Sequence, residues 1–224
     1  MGDEIWRKRN REEAGNTSDQ GDSANCPNNG KDQFELGLQM LRAAQGEIEF
    51  LSAADLMSQA AEKNYAPAQA AIGVLCQIGI GVPKDRSQAI TWFRRAATQG
   101  NAEGQYHLGT AYSFGIDVEK DDVEATAWFL KAATQGHRSA QYEVGRRYEL
   151  GVGVLPDSSE SVRWYLKAAK QGCDRAQYEV VLAYYAVRGI RQDYGKADFW
   201  FRKYEEQVPR RDVDEDEADD EVVS

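Results

Sequence analysis

The sequence predicts an all-α fold, a right-handed superhelical solenoid of antiparallel helix hairpins, from three recurrences at one step. Trp92, Trp128, Trp164 and Trp200 stand 36 residues apart, and Gln69, Gln105, Gln141 and Gln177 keep the same interval. The alanine pairs Ala60-Ala61, Ala96-Ala97, Ala132-Ala133 and Ala168-Ala169 follow it without one insertion, as do Asp85, Asp121, Asp157 and Asp193. A fixed period of this length marks stacked supersecondary units, none of which can bury its apolar face alone.

Each unit reads as two helices. In the unit that begins near 137, Ala140, Val144, Tyr148 and Gly151 fall at i, i+4, i+8 and i+11, one face of a 3.6-residue period. The second helix carries Ser161, Trp164, Ala168 and Ala169 on one face. Gly151-Val152-Gly153-Val154 reads as the turn between them. Asp157 follows as an N-cap, with Glu160 three residues on to complete a capping box. Asp121 with Glu124 and Asp85 with Gln88 repeat that arrangement. Gly100, Gly136 and Gly172 end the second helices in the left-handed conformation. Gly73, Gly109 and Gly145, with Ala96, Ala132 and Ala168, allow close backbone approach, and the Trp is expected to fill the larger gap between units.

The register gives five units, 31–64, 65–100, 101–136, 137–172 and 173–208. The first is degenerate near Gly46 and has Leu56 in the Trp position; the last has Val181 and Val187 in glycine positions and stops at Pro209. Residues 1–30 and 209–224 read as polar, disordered tails.

These residues resemble the Sel-1-like repeat, a relative of the tetratricopeptide repeat. Leu108-Gly109, Tyr112, Val118, Asp121, Ala125, Trp128, Lys131-Ala132-Ala133 and Gln135-Gly136 match its pattern in place, and the resemblance covers about four-fifths of the chain. It implies a protein interaction scaffold without chemistry of its own, and leaves the partner open among signalling, host interaction and protein quality control. Cysteine-rich relatives described as penicillin-binding or β-lactamase-like supply the competing hydrolase reading. They carry a regular cysteine pair in each unit, which this sequence lacks.

The first helices of a hairpin solenoid line its concave side. Off the core face, the unit at 137–172 shows Ser139, Tyr142, Arg146 and Glu149. The preceding unit shows Glu103, Tyr106, Thr110 and Ser113, and the following one Arg175, Tyr178, Leu182 and Tyr185. From these, Tyr106, Thr110, Tyr142, Arg146, Glu149, Tyr178, Leu182 and Tyr185 are the candidate partner-binding residues. Tyrosine offers contact area at small entropic cost and arginine grips carboxylates. Two readings of the tyrosines stand side by side, packing between first helices and contact with a partner. Arg146 and Glu149 depart from the neighbouring units, which marks them for specificity. Arg147 stands where other units have Leu75, Ala111 and Ala183, so its stem either snorkels past the core or pairs with Glu143. Towards the N-terminus the same face is apolar, with Phe34, Leu38, Leu41, Ala70 and Val74. It is open as a second contact site, a dimer surface or a face covered by residues 1–30.

Charge narrows the partner class. Of the formal −10, residues 210–224 carry −6 and residues 1–30 carry −2, so the repeats are nearly neutral and offer no basic footprint for nucleic acid. The acidic end serves solubility, holds a basic partner or folds back on the scaffold. Trp6-Arg7-Lys8-Arg9-Asn10-Arg11 reads as a solvated tail, or as a short import or docking signal. Without an apolar leader or a long apolar run, a cytoplasmic location and no membrane partner are expected. Cys26, Cys76 and Cys173 suit neither a disulfide framework nor a metal site. His107 and His137 have no ligand-type neighbour at metal spacing and read as surface residues. Gly79-Ile80-Gly81 and Gly151-Val152-Gly153 join helices and are not phosphate loops. No cofactor is expected, and no nucleophile, base and orienting group can be assembled. Oligomeric state is not legible.

Overall fold

The computed structural model describes residues 30–207. The basic cluster at 7–11, Cys26, Pro209 and the acidic stretch 210–224 lie outside the described residues, as do the disorder expectations for both ends. Ten helices follow one another within the described residues: α1 Lys31–Ala43, α2 Glu47–Glu62, α3 Ala66–Ile78, α4 Arg86–Thr98, α5 Ala102–Phe114, α6 Asp122–Thr134, α7 Arg138–Leu150, α8 Ser158–Lys170, α9 Asp174–Ala186 and α10 Tyr194–Glu205. They form repeated hairpins, and no strand occurs among these residues. None of the helices is long and apolar enough to cross a membrane. The chain divides into two compact units: one runs to Ala140 and includes Val152–Val154, and the other comprises Gln141–Gly151 and Leu155 onward.

In four of the five described hairpins the second helix begins at an aspartate; α2 begins at Gly46 instead, whose amide donates to Glu49 at 2.8 Å. Asp85 accepts from the amide of Gln88, Asp121 from Val123 and Glu124, Asp157 from Ser159 and Glu160, and Asp193 from Lys196, all at 2.9–3.0 Å. The reciprocal half of the expected capping box is absent at three of them. The amide of Asp85 donates to the Cys76 carbonyl, that of Asp121 to Tyr112 and that of Asp157 to Tyr148, at 2.9–3.0 Å. Backbone from the preceding helix has already taken the donor that the box would satisfy. Glu160 is freed to pair with Arg163.

The second helices end as the glycines predict. Gly100, Gly136 and Gly172 have φ of +86°, +92° and +78°. The amides of Asn101, His137 and Cys173 reach back to the carbonyls of Ala96, Ala132 and Ala168 at 3.0–3.1 Å, the longer bond of a Schellman motif. First helices end the same way at Gly79, Gly115 and Gly151, and at Val187, whose φ is +56°. A β-branched residue there costs about 1–2 kcal/mol. Val187 is 55% exposed and has little packing to lose. Val187→Gly is therefore expected to raise stability by about 1 kcal/mol, the gain in φ outweighing the added freedom of the unfolded chain. A urea midpoint at or below that of the parent would contradict this.

Packing within a hairpin departs from the sequence expectation in one respect. The side chain over each first-helix glycine belongs to the residue after the Trp. A Cβ added at Gly73 would lie 2.6 Å from the Phe93 ring, at Gly109 3.0 Å from the Phe129 ring, and at Gly145 2.6 Å from the Tyr165 ring. All three rings are about 2% exposed. Trp92 and Trp128 are only half-buried, and a cation lies over three of the four register Trp rings: Arg95 at 4.8 Å from Trp92, Lys131 at 3.7 Å from Trp128 and Lys167 at 3.6 Å from Trp164.

Successive hairpins are tied by the turn glycines and by glutamines. A Cβ at Gly81 would stand 2.3 Å from the Phe50 carbonyl oxygen, and one at Gly153 1.9 Å from that of Asp122. In the second unit, one at Gly189 would stand 2.1 Å from that of Ser158. The buried Gln69, Gln105 and Gln177 donate to the carbonyls of Ala61, Ala97 and Ala169 at 3.1–3.4 Å. Gln69, Gln105 and Gln141 in turn accept from Gln99, Gln135 and Gln171 at 2.6–2.8 Å. The repeated glutamine is thus a core residue with its amide satisfied, as burial requires.

Candidate partner-binding site

In the first unit, Tyr106 is half-buried. Its ring stacks on His137 at 4.6 Å and tilts against Phe129 at 5.7 Å, so most of its surface is spent on internal packing. Thr110 donates its hydroxyl to the Tyr106 carbonyl at 3.0 Å.

Both histidines, expected as surface residues, converge on one carboxylate. Glu103 Oε1 lies 3.2 Å from His107 Nε2, and Oε2 lies 3.1 Å from His137 Nε2. His137 Nδ1 accepts the Ala140 amide at 3.1 Å and so acts as the N-cap of α7, which makes Nε2 the donor. His107 stacks on Phe93 at 4.3 Å. Bonds from His107 and then His137 hold the Glu103 carboxyl well below its usual range. Among the described residues no group of three His, Cys, Asp or Glu side chains is arranged to hold a metal ion.

A lowered carboxyl pKa stabilises the folded state above the ordinary value of 4.5, and that contribution is lost as pH falls through the folded-state value. Glu103→Gln is expected to lower the urea midpoint at neutral pH, with a deficit that shrinks as the pH is taken below the carboxylate range. A deficit independent of pH would show that the ion is not its source.

In the second unit, Tyr142 is half-buried with its ring 5.7 Å from that of Tyr165, and burial raises its hydroxyl pKa. Arg146 is exposed and pairs with Glu143 at 3.2 Å. Arg147 is only 4% exposed, so its head does not reach water as the snorkelling reading requires. Glu149 is an internal node: it accepts the Tyr165 hydroxyl at 2.7 Å and pairs with Arg188, whose other nitrogen lies 3.6 Å from Glu179. Burial, followed by the charge of Glu149, raises the Glu179 carboxyl pKa. A cavity of about 200 Å³ lies among Glu149, Ser161, Tyr165, Glu179 and Arg188. Neither Tyr165 nor Arg188 was singled out from sequence. Their signal is departure from the repeat, since Phe93 and Phe129 precede Tyr165 in register and Ile80, Ile116 and Val152 precede Arg188.

On α9, Tyr178 is 42% and Tyr185 47% exposed, with Leu182 half-buried between them at helical spacing. The Tyr178 ring lies 5.5 Å from that of the half-buried Tyr204, and the Tyr185 ring 5.7 Å from that of the exposed Tyr194. The apolar stretch expected near the N-terminus is present in the first unit. Phe34, Leu38, Leu41, Ala70 and Val74 line one groove of about 370 Å³, closed at its edge by Asn101 and Glu103.

Comparison with known proteins agrees with this repeat architecture. The Sel1 repeat model matches residues 66–101, 102–137, 138–173 and 176–203, together more than half of the chain. Among solved structures, the chain is similar to a Sel1 repeat protein from Oxalobacter formigenes at 33% identity and a TM-score of 0.72, covering 79% of this chain and 72% of that one. It is equally similar, at 33% identity and a TM-score of 0.72, to a protective antigen present in uropathogenic Escherichia coli strains that displays an SLR fold. That match covers 80% of this chain but only 38% of the antigen. No curated protein sequence matches the chain significantly. With its hairpins, its glutamine ladder and four matched repeats, the chain belongs to the Sel1 repeat family.

Proposed function

We propose that the chain is a non-catalytic adaptor that docks a protein or peptide partner on the exposed faces of its first helices, with α7 and α9 as the principal contact. Sel1 repeats commonly serve as protein–protein interaction scaffolds. The observation that carries the placement is the division among the candidate residues. Tyr106, Tyr142 and Glu149 are committed to internal partners, whereas Arg146, Tyr178 and Tyr185 present large side chains to solvent. Exposed Tyr and Arg are the residue types that dominate binding energy in interfaces. Leu182 supplies an apolar floor between the tyrosines, and Arg146 suits a carboxylate on the partner.

Affinity capture from native lysate, with mass spectrometry of the co-purifying proteins, identifies the partner. Arg146→Glu and Tyr178→Ala are each expected to weaken its binding by about tenfold, roughly 1.4 kcal/mol. Both residues are exposed, so circular dichroism should not change. Captured partners whose affinities are indifferent to both substitutions would remove α7 and α9 as the docking face.

A further inference from the structure

The apolar groove of the first unit is walled by side chains of α1 and α3. Phe34, Leu38 and Leu41 project from α1 at i, i+4 and i+7, and Ala70 and Val74 from α3 form the other wall. All are only partly buried except Ala70, which is 2% exposed. The groove begins one helical turn after Gly30, whose carbonyl accepts the Phe34 amide at 3.0 Å. At its edge stands the Glu103 carboxylate, which the two histidines keep ionised.

We propose that Ile5-Trp6 of this same chain docks in that groove, with Arg7, Lys8 and Arg9 directed to Glu103. Beyond Met1, Ile5 and Trp6 are the only large apolar residues among 1–29, and three cations follow them directly. Trp6 is also the one tryptophan outside the 36-residue register. Between Trp6 and Gly30 the connecting chain has a root-mean-square span of about 25 Å if flexible, against about 20 Å for the length of α1, so every point of the groove is in reach. Tethering at that length supplies the segment at roughly millimolar effective concentration, which offsets the small contact area of one indole and one isoleucine. The charges are complementary, because the basic cluster follows the two apolar residues directly and an acid, Glu103, lines the groove that would hold them. This inference does not depend on the docking role of α7 and α9.

The test uses the full chain with p-benzoylphenylalanine in place of Trp6. Irradiation is expected to yield a monomeric product cross-linked to peptides from α1 and α3. Replacing Arg7, Lys8 and Arg9 together by Glu is expected to cut the yield several-fold, as is about 1 M salt. The charge reversals lie outside the described residues, and circular dichroism checks that a loss of cross-linking does not reflect a loss of the fold. Cross-links elsewhere in the chain, cross-links that join two copies, or no cross-link at all would each overturn the proposal.

Discussion

Alanine in place of Gly153 is expected to cost about 3 kcal/mol or more, among the largest single effects in the protein. Two terms add. At φ +68° an alanine pays about 1 kcal/mol for the left-handed conformation. Its Cβ would also stand 1.9 Å from the Asp122 carbonyl oxygen and 2.6 Å from the Thr126 hydroxyl, well inside contact distance. Neither neighbour can move freely. Asp122 begins α6, and the Thr126 hydroxyl, on a side chain 3% exposed, lies 2.7 Å from the Asp122 carbonyl and 3.0 Å from that of Val152. Gly136→Ala separates the terms, because Gly136 has φ +92° but nothing within 4 Å of an added Cβ. Its cost should be about 1 kcal/mol. Urea titrations of both variants, followed by fluorescence and circular dichroism, check the difference. Equal losses would mean that the turn glycine is kept for its backbone angle alone.

The sequence carried the helices and their ends because the 36-residue step exposes caps and apolar faces together. Asp85, Asp121 and Asp157 were readable as N-caps, and Gly100, Gly136 and Gly172 as stops. What escaped was whatever depends on which groups meet. The amides of the capping aspartates find carbonyls nine residues back, and a backbone bond leaves no mark on residue identity. The rings over the glycines are legible in principle, since Phe93, Phe129 and Tyr165 keep the same step as the tryptophans beside them. Glu103 and His137 are 34 residues apart, and no linear motif spans that distance.

Departures from the repeat proved to have two sources. Glu149, marked for specificity because it differs from Ser113 and Tyr185, answers two further departures, Tyr165 in its own repeat and Arg188 in the next. Where other units have Phe, Tyr165 adds a hydroxyl inside the core, and burying it requires an acceptor. The Glu149 carboxylate is that acceptor, and Arg188, replacing an aliphatic residue, balances its charge. Three coordinated changes thus conserve packing while altering chemistry. Arg146 also differs from Thr110 and Leu182, but it is exposed, its pair with Glu143 is an ordinary i, i+3 contact of small energetic weight, and its charge only weakly lowers the Glu179 carboxyl pKa. That contrast is why Arg146, and not Glu149, is the residue whose reversal is expected to report on a partner.

Phe93→Ala is expected to cost about 3–5 kcal/mol, because a ring 2% exposed is removed from a core that closes on it from two helices. On one side the ring lies against Gly73, and on the other it stacks on His107 at 4.3 Å. Gly73→Ala alone should cost about 1–3 kcal/mol, since its Cβ would meet the ring at 2.6 Å and overpack the hairpin. If the ring is the reason for the glycine, the double variant must be less damaging than the sum. The methyl added at position 73 then occupies part of the space that the ring left, and the clash that penalises it in the parent is gone. A coupling of about 1–3 kcal/mol in the double-mutant cycle is the expected result. Strict additivity would show that Gly73 answers to backbone approach between the helices, as the spacing of small residues first suggested. The same cycle on Gly109 and Phe129, where the Cβ contact is 3.0 Å, should give a smaller coupling, so the distances order the energies.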